Sequence, residues 1–185
     1  AGDEQSGVCL MEMAVGLDTG PVVACRKTPI DPMDTAASLH DRLAGLGAAL
    51  LADSLIDWSA GRLPATPQSD NGVTYAEKIT TDQARIDWQL SAATLMHRVH
   101  AFNPWPVMRC LRNGEWLRIH KAQAIASPAP AQAPGTVLGV SDAGVDVQTG
   151  DGVLRVLELQ APGRKAQPVD IFLRGQRLMP GERLE

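Results

Sequence analysis

One carboxylate of this chain lies on a glycine-flanked loop, Gly16-Leu17-Asp18-Thr19-Gly20, between two apolar runs. Glycines let the backbone approach a ligand closely, and flanking strands hold the side chains of such a loop in place. A carboxylate there can act as a general acid or base and relay protons through water. Because one acid alone cannot run a reaction, we expect its catalytic partners to come from other segments.

The same loop matches the Asp-Thr-Gly loop of aspartic proteases, in which two carboxylates share one proton. A dimer of this chain could supply the second carboxylate. In those proteases a flap hairpin and a glycine-bearing buried strand follow the loop, whereas a long helical pattern follows Asp18 here. The sequence therefore disfavours a protease.

Two strands and one helix are predicted around Asp18. The apolar runs Val8–Ala14 and Pro21–Thr28 are typical of strands, and residues 34–61 favour a helix with Asp34 or Thr35 as its N-cap. The apolar residues of this helix recur near a 3.6-residue period: Leu39, Leu43, Leu46, Leu50, Leu51, Leu55 and Ile56. The first residues contain no methionine and run directly into a strand pattern. We therefore expect the segments that complete this sheet to lie upstream.

The chain changes character after this helix. Residues 64–82 are rich in turn formers and lack periodicity, as linkers do. A second helix, Ser91–Ala101, begins at a serine cap, and strand-like runs separated by turns follow it. These runs are Trp116–Lys121, Gly135–Val140, Val145–Gln148 and Val153–Leu159, with a short helical turn at Val169–Arg174 and a loop excursion at Ser127–Pro134. The pattern predicts a small OB-like β-barrel.

The length and composition of the chain indicate a folded protein with a hydrophobic core. The chain has 185 residues, of which 44% are hydrophobic. No run approaches the roughly 20 apolar residues that cross a bilayer, and no basic-then-apolar leader is present, so we expect a cytoplasmic protein without membrane contact. The three cysteines suggest neither a disulfide framework nor a zinc motif. Cys9 and Cys25 lie on apolar strand patterns and are predicted to be core thiols.

The net charge of −4 is divided unevenly along the chain. Residues 1–74 carry four basic and ten acidic side chains, whereas residues 75–185 carry thirteen basic and eleven acidic ones. One stretch combines basic residues with tryptophans and a single acid, Glu115: Arg98, Trp105, Arg109, Arg112, Trp116, Arg118 and Lys121. Such a surface suits phosphates and unpaired bases, although ordinary solvated charges give the same pattern.

Several motifs, in order along nearly the whole chain, resemble the methionyl-tRNA formyltransferase family. They are Gly7-Val8-Cys9-Leu10-Met11-Glu12-Met13, Gly16-Leu17-Asp18-Thr19-Gly20, Thr74-Tyr75-Ala76-Glu77-Lys78-Ile79, Ala84-Arg85-Ile86-Asp87-Trp88, Ala101-Phe102-Asn103-Pro104-Trp105-Pro106 and Pro180-Gly181-Glu182-Arg183-Leu184. The resemblance implies formyl transfer from 10-formyltetrahydrofolate to the methionine amino group of initiator methionyl-tRNA. It also implies a fold of class α/β + β. Residues 1–63 would be the C-terminal part of a Rossmann-like catalytic domain, 64–82 a linker and 83–185 an OB-like domain.

The resemblance makes Asp18 one of three polar catalytic residues. The other two are an Asn and a His in an Asn-x-His motif ahead of a Ser-Leu-Leu-Pro loop, and neither motif occurs in these 185 residues. We therefore expect this chain alone to be inactive. The backbone before Asp18 would contact the folate, which assigns Ala14, Val15, Gly16 and Leu17 to cofactor binding.

The resemblance also implies residues that bind tRNA. Lys78 and Arg85 lie in the linker region, and Arg98 and His100 lie on the second helix. His97 and His100 have a spacing that can hold a metal, but no third ligand is within reach in the sequence, so no metal is predicted. Trp105 is predicted to pack between the barrel and the catalytic domain, with contact to a ligand as the alternative. A monomer fits the family.

Two other functions remain open at this point. The chain could be a non-catalytic RNA-binding module, a barrel with a basic linker. It could also belong to another folate-dependent formyltransferase or hydrolase of the same superfamily, since some sugar-nucleotide formyltransferases share the Asp18 loop. The long match through the Trp88, Trp105 and Pro180 motifs favours the tRNA enzyme over both.

Overall fold

The computed structural model of the protein describes residues 2–127 and 132–185. The chain separates into two compact units, residues 3–78 and residues 79–185. The loop excursion expected at residues 127–134 lies partly outside the described residues. Among those described, no helix is both long and apolar enough to cross a membrane.

The first unit consists of a two-stranded antiparallel sheet covered by one helix. Strands β1 (Gln5–Met11) and β2 (Val22–Pro29) pair, and α1 (Ala36–Ser59) packs on both. Thr35 caps α1 by accepting a hydrogen bond from the Ser38 backbone, and Ser38 accepts one from the Thr35 backbone in return. These elements confirm the predicted strands and helix that bracket the Asp18 loop.

Cys9 and Cys25 form a disulfide, so the prediction of two core thiols is wrong. The antiparallel register places the two cysteines directly opposite each other, with their Cα atoms 4.1 Å apart. Directly opposed residues of antiparallel strands lie close enough for their sulfurs to meet. Spacing along the sequence did not reveal this because the partners are set by strand register. Cys110, in the second unit, is a buried free thiol, and burial raises its pKa to about 12.

In its described residues, the second unit is a six-stranded antiparallel sheet with two α-helices and a single 3-10 turn at Asp82–Ala84. Its elements are α2 (Ala92–Ala101), β3 (Met108–Arg112), β4 (Glu115–Ile125), β5 (Val137–Ser141), β6 (Gly144–Gln148), β7 (Val153–Gln160), β8 (Gln167–Pro168) and α3 (Val169–Gly175). The strand order is β3-β4-β7-β6-β5, and β8 pairs with β7. Strand β3 was not predicted. The core includes Leu95, Val99, Met108, Ile119, Val147, Leu154 and Phe172.

The strands of this sheet do not close into the predicted barrel. Edge strands β3 and β5 are not paired with each other in the described part of the chain. Instead, the carboxyl-terminal segment bridges them: Glu185 exchanges backbone hydrogen bonds with Leu111 of β3, and the Glu182 carbonyl accepts one from Val137 of β5. An irregular segment, rather than a strand-to-strand ladder, therefore satisfies the backbone groups at both edges.

Trp105 also departs from expectation. It is 56% exposed in the connection between α2 and β3, so the prediction that its side chain is packed away from solvent is wrong. Helix α2 ends at Ala101, ahead of Pro104 and Pro106, which cannot continue it. The chain between the helix and β3 leaves the indole ring at the surface.

Candidate active site

Asp18 lies on the connection between β1 and β2. The Glu12 N–H donates to the Pro21 carbonyl at 3.0 Å, which closes the base of the loop. Asp18 has a φ of 54°, in the left-handed region that few residues other than glycine, asparagine and aspartate adopt readily. It is exposed, and its carboxylate forms no hydrogen bond or ion pair within the described residues. The carboxylate is thus open to a substrate.

Gly20 is required where it stands because the backbone passes against it. A Cβ atom at Gly20 would lie 1.7 Å from the Glu12 carbonyl oxygen, a distance that no side chain can occupy. At Gly16 a Cβ atom would lie 2.6 Å from the Thr19 hydroxyl. The glycines that flank Asp18 therefore permit a tight turn and do not simply provide freedom of motion.

Gln68 holds the Asp18 loop from the outside. Its Nε2 group donates to the Asp18 carbonyl at 2.8 Å and to the Gly20 carbonyl at 2.7 Å. Reciprocal backbone hydrogen bonds between Thr66 and Val22, at 2.7 and 2.8 Å, bring this segment beside the loop. The sequence did not indicate Gln68, because a glutamine in a turn-rich segment carries no signal of its contacts.

The residues expected to bind the cofactor share this loop and are exposed: Ala14, Val15, Gly16 and Leu17. The backbone groups of Ala14, Val15 and Leu17 form no backbone hydrogen bonds among the described residues, so they are available to the polar edge of a heteroaromatic ring. Alternate side chains of the loop are apolar, and Met13, Val15 and Leu17 are at least 90% exposed. The loop thus offers apolar contact and open backbone groups together, a combination that suits a flat heteroaromatic ligand.

The residues predicted to bind tRNA differ in their exposure to solvent. Lys78, Arg85 and Arg98 are exposed, and Arg98 lines a surface cavity of about 420 Å³ beside α2. His100 is only 4% exposed, because it lies on the face of α2 that carries Val99 into the core. Burial makes His100 unsuitable for a surface contact with RNA, so that expectation does not hold. Within the described residues, no group of three or more side chains of the usual metal-binding types could hold a metal ion.

Two cations of the basic stretch are engaged in ion pairs. The Arg112 Nε donates to Glu182 at 2.7 Å, and the Lys121 ammonium lies 3.3 Å from Glu158. Burial, the largest single effect, raises the pKa of Glu182, but the hydrogen bonds from Arg112 and from the Met179 backbone, together with the positive charge of Arg112, lower it by more, so the net shift is downward. Arg109 instead stacks on Trp116, with its guanidinium carbon 4.4 Å from the ring centroid.

Comparison with known families matches both parts of the chain. The profile described as "Formyl transferase, C-terminal domain" matches residues 78–177, and the one described as "Formyl transferase" matches residues 1–55. A methionyl-tRNA formyltransferase of Xanthomonas axonopodis pv. citri (strain 306) is 48% identical over 184 residues, which are 99% of this chain and 60% of that relative. The chain thus spans about 60% of the length of the relative it matches.

Solved structures with a similar fold include two that share much less sequence. HypX from Aquifex aeolicus, in complex with tetrahydrofolic acid, has a TM-score of 0.67 at 22% identity, covering 93% of this chain and 30% of HypX. WlaRD, a sugar 3N-formyl transferase, has a TM-score of 0.67 at 17% identity, covering 89% of this chain and 57% of that protein. At these identities the likeness concerns the fold alone.

Proposed function

Because this chain belongs to the formyl transferase family, we propose that the protein carrying it transfers a formyl group from 10-formyltetrahydrofolate to the amino group of methionyl initiator tRNA. The observation that carries the proposal is the Asp18 loop, which Gly20 and Gln68 hold in one conformation with an open carboxylate. The 48% identity to a tRNA enzyme favours this acceptor over a sugar. A cytoplasmic monomer fits the same reaction.

In this reaction the amine attacks the formyl carbon, a tetrahedral oxyanion forms, and the nitrogen loses a proton before the folate nitrogen leaves. Asp18 would accept and relay that proton through water, a role typically worth about 10²–10⁴ in rate. Donors to the oxyanion, typically worth about 10²–10³, would be the family's Asn and His. The 185 residues contain no Asn-x-His motif. We therefore expect the 185-residue chain by itself to show no formyl transfer.

The loop would bind the folate through Ala14, Val15, Gly16 and Leu17. Their exposed backbone supports hydrogen bonds that do not depend on side-chain identity, and the apolar side chains of Val15 and Leu17 support contact with the ring. The donor supplies the activated formyl group, and these residues would orient it toward Asp18.

The exposed cations Lys78, Arg85 and Arg98 would contact the tRNA. We propose that the second unit is OB-like. Its carboxyl-terminal segment would close the gap between edge strands β3 and β5, to which it is hydrogen-bonded. Binding through phosphates predicts an affinity that falls steeply with salt, by a slope of about 0.9 per phosphate neutralised on duplex.

The substitution Asp18→Asn tests the proposed reaction. Asparagine tolerates the left-handed backbone at this position, so the loop should keep its shape while the proton acceptor is removed. In the polypeptide encoded by the natural gene, we expect formylation of methionyl initiator tRNA to fall about 10²–10⁴-fold, with tRNA affinity unchanged. The control is Asp70→Asn, which removes an exposed acid of the same unit. Full activity in Asp18→Asn, or no formyl transfer by the unsubstituted protein, would contradict the proposal.

A further inference from the structure

Three arginines lie side by side on the outer surface of the second unit. The Arg85 segment forms a parallel bridge to Arg109 of β3, and Arg109 is the direct antiparallel partner of Arg118 on β4. Each alternates with buried neighbours: Ala84 and Ile86, Met108 and Cys110, Leu117 and Ile119. Because side chains alternate between the faces of a sheet, all three arginines share the face opposite the core. We call Arg85, Arg109 and Arg118 the arginine row.

The arginine row lacks compensating charge. None of its members forms an ion pair among the described residues, whereas nearby Arg112 and Lys121 each do. Adjacent strands lie about 4.8 Å apart, so the backbone positions of the three arginines fall within roughly 10 Å. Like charges directly opposite each other destabilise a sheet. The Arg109 Nη2 donates to the Thr81 carbonyl at 3.5 Å, while its Nε is buried with no hydrogen-bond acceptor in the described part of the chain. The row is therefore arranged to gain from an external anion.

Trp116 lies beside the arginine row, on β4. It is two positions from Arg118 on β4 and faces Leu111 across the ladder, which makes it the diagonal neighbour of Arg109. The guanidinium of Arg109 stacks on its ring, and 38% of the residue remains exposed. An exposed aromatic ring beside a row of cations can stack a base while the cations bind the adjoining backbone.

We propose that the arginine row and Trp116 form a binding site for RNA, in which Arg85, Arg109 and Arg118 contact consecutive phosphates and Trp116 stacks an adjacent base. The site deepens the proposed function and rests on it, because the RNA is then the tRNA acceptor. Guanidinium groups bind phosphate oxygens in pairs of parallel hydrogen bonds, which suits a fixed row of arginines more than scattered lysines. The cavity beside α2 that Arg98 lines is a separate feature of the same unit.

The test is the double substitution Arg109→Gln and Arg118→Gln in the protein encoded by the natural gene. Arg85 is not substituted, because it is already among the cations assigned to tRNA binding. Any loss of binding is then due to Arg109 and Arg118. Binding to a transcript of the initiator tRNA is measured from 50 to 200 mM salt, the range over which phosphate contacts are most evident. The matched control is Arg164→Gln with Arg177→Gln, two exposed cations of the same unit outside the row. Thermal unfolding of each variant establishes that it is folded.

We expect the row variant to bind at least tenfold more weakly and its salt slope to flatten by about 0.7–0.9 for each phosphate that it no longer neutralises. The control should bind like the unsubstituted protein. Trp116→Leu should weaken binding, whereas Trp116→Phe, which keeps an aromatic face, should largely restore it. Unchanged affinity and salt slope in the row variant would overturn this site. The proposed formyl transfer would not be affected by that result, because it is measured in a separate activity assay. Failure of the unsubstituted protein to bind the tRNA would overturn the site and the proposed acceptor together.

Discussion

Asp18 combines an accessible carboxylate with a backbone that few side chains tolerate. A residue held at positive φ persists only where its surroundings determine it, and such residues concentrate at functional sites. Here the surroundings are the close approach of Gly20 to Glu12 and the two hydrogen bonds from Gln68. The amide of Gln68 therefore acts on the carboxylate through the loop and is a positioning group.

The substitution Gln68→Leu should lower formyl transfer without weakening tRNA binding. Loss of both hydrogen bonds leaves two loop carbonyls unsupported, and a misplaced catalytic group can cost about 10²-fold in rate. We expect kcat to fall by about ten- to a hundredfold, with KM for tRNA unchanged and faster amide hydrogen exchange in residues 12–20. The matched control is Gln89→Leu at an exposed position of the second unit. If exchange in the loop stays slow and kcat is retained, Gln68 does not position Asp18.

At the scale of elements, the start of α1 is fixed by a network centred on Asp34. The Arg42 Nη1 donates to Asp34 at 3.0 Å, while Ser38 and the Asp31 backbone also donate to its carboxylate. Arg42 further donates to the Pro29 carbonyl at 2.9 Å, which ties the end of β2 to the helix. The side-chain hydrogen bond from Arg42 holds the pKa of Asp34 well below its ordinary value.

Because of this network, we expect the stability of the first unit to fall at low pH. Because the pKa of Asp34 is lowered on folding, its stabilising effect is complete above the ordinary aspartate pKa of about 3.9 and is lost as pH falls from there toward the folded value. Asp34→Asn should therefore have a lower Tm than the unsubstituted chain at pH 7, and the gap should narrow below about pH 4. Asp41→Asn, which alters a carboxylate paired with exposed His40 and with no other residue that the structure describes, should show little change. A gap that stayed constant down to pH 2 would exclude this role for Asp34.

The elements that sequence patterns identified are those whose signals are local. Helix α1 carries its own period and cap, and α2 begins at Ser91 as a serine cap indicates. Strand β3 was missed because it follows closely on two prolines, and the pairing of Cys9 with Cys25 was missed because strand register is set by distant residues. The Asp18 loop could be predicted because its residues are consecutive. The contacts of Gln68 and the alignment of the arginine row could not, because they form only when segments distant in the sequence pair in the fold.

At the scale of the whole molecule, the second unit is held together by its carboxyl-terminal segment. Besides the backbone bonds to β3 and β5, Arg112 of β3 donates to Glu182, to Gln176 and to the Arg177 carbonyl. Both side chains of the Arg112–Glu182 pair are less than one-fifth exposed. Removing one partner would therefore leave the other charge partly buried and unpaired, which costs more than losing a surface ion pair does.

Replacing Arg112 by Met should destabilise the second unit by about 1–3 kcal/mol, the usual effect of losing hydrogen bonds to a charged group. The double substitution Arg112→Met with Glu182→Gln should cost less than the two single effects added, because the glutamine no longer leaves a half-buried charge unpaired. Urea unfolding of the four proteins measures the coupling. Additive effects would show that the carboxyl-terminal segment does not depend on this pair.

The disulfide of the first unit has a further consequence. Because Cys9 is joined to Cys25, residues 10–24 belong to a covalent ring that contains Asp18 and the whole exposed loop. Exposed loops are preferred sites of proteolytic nicking. A single cut within this ring opens it without releasing a fragment, so the nicked chain stays at full mass until a reductant separates the two pieces.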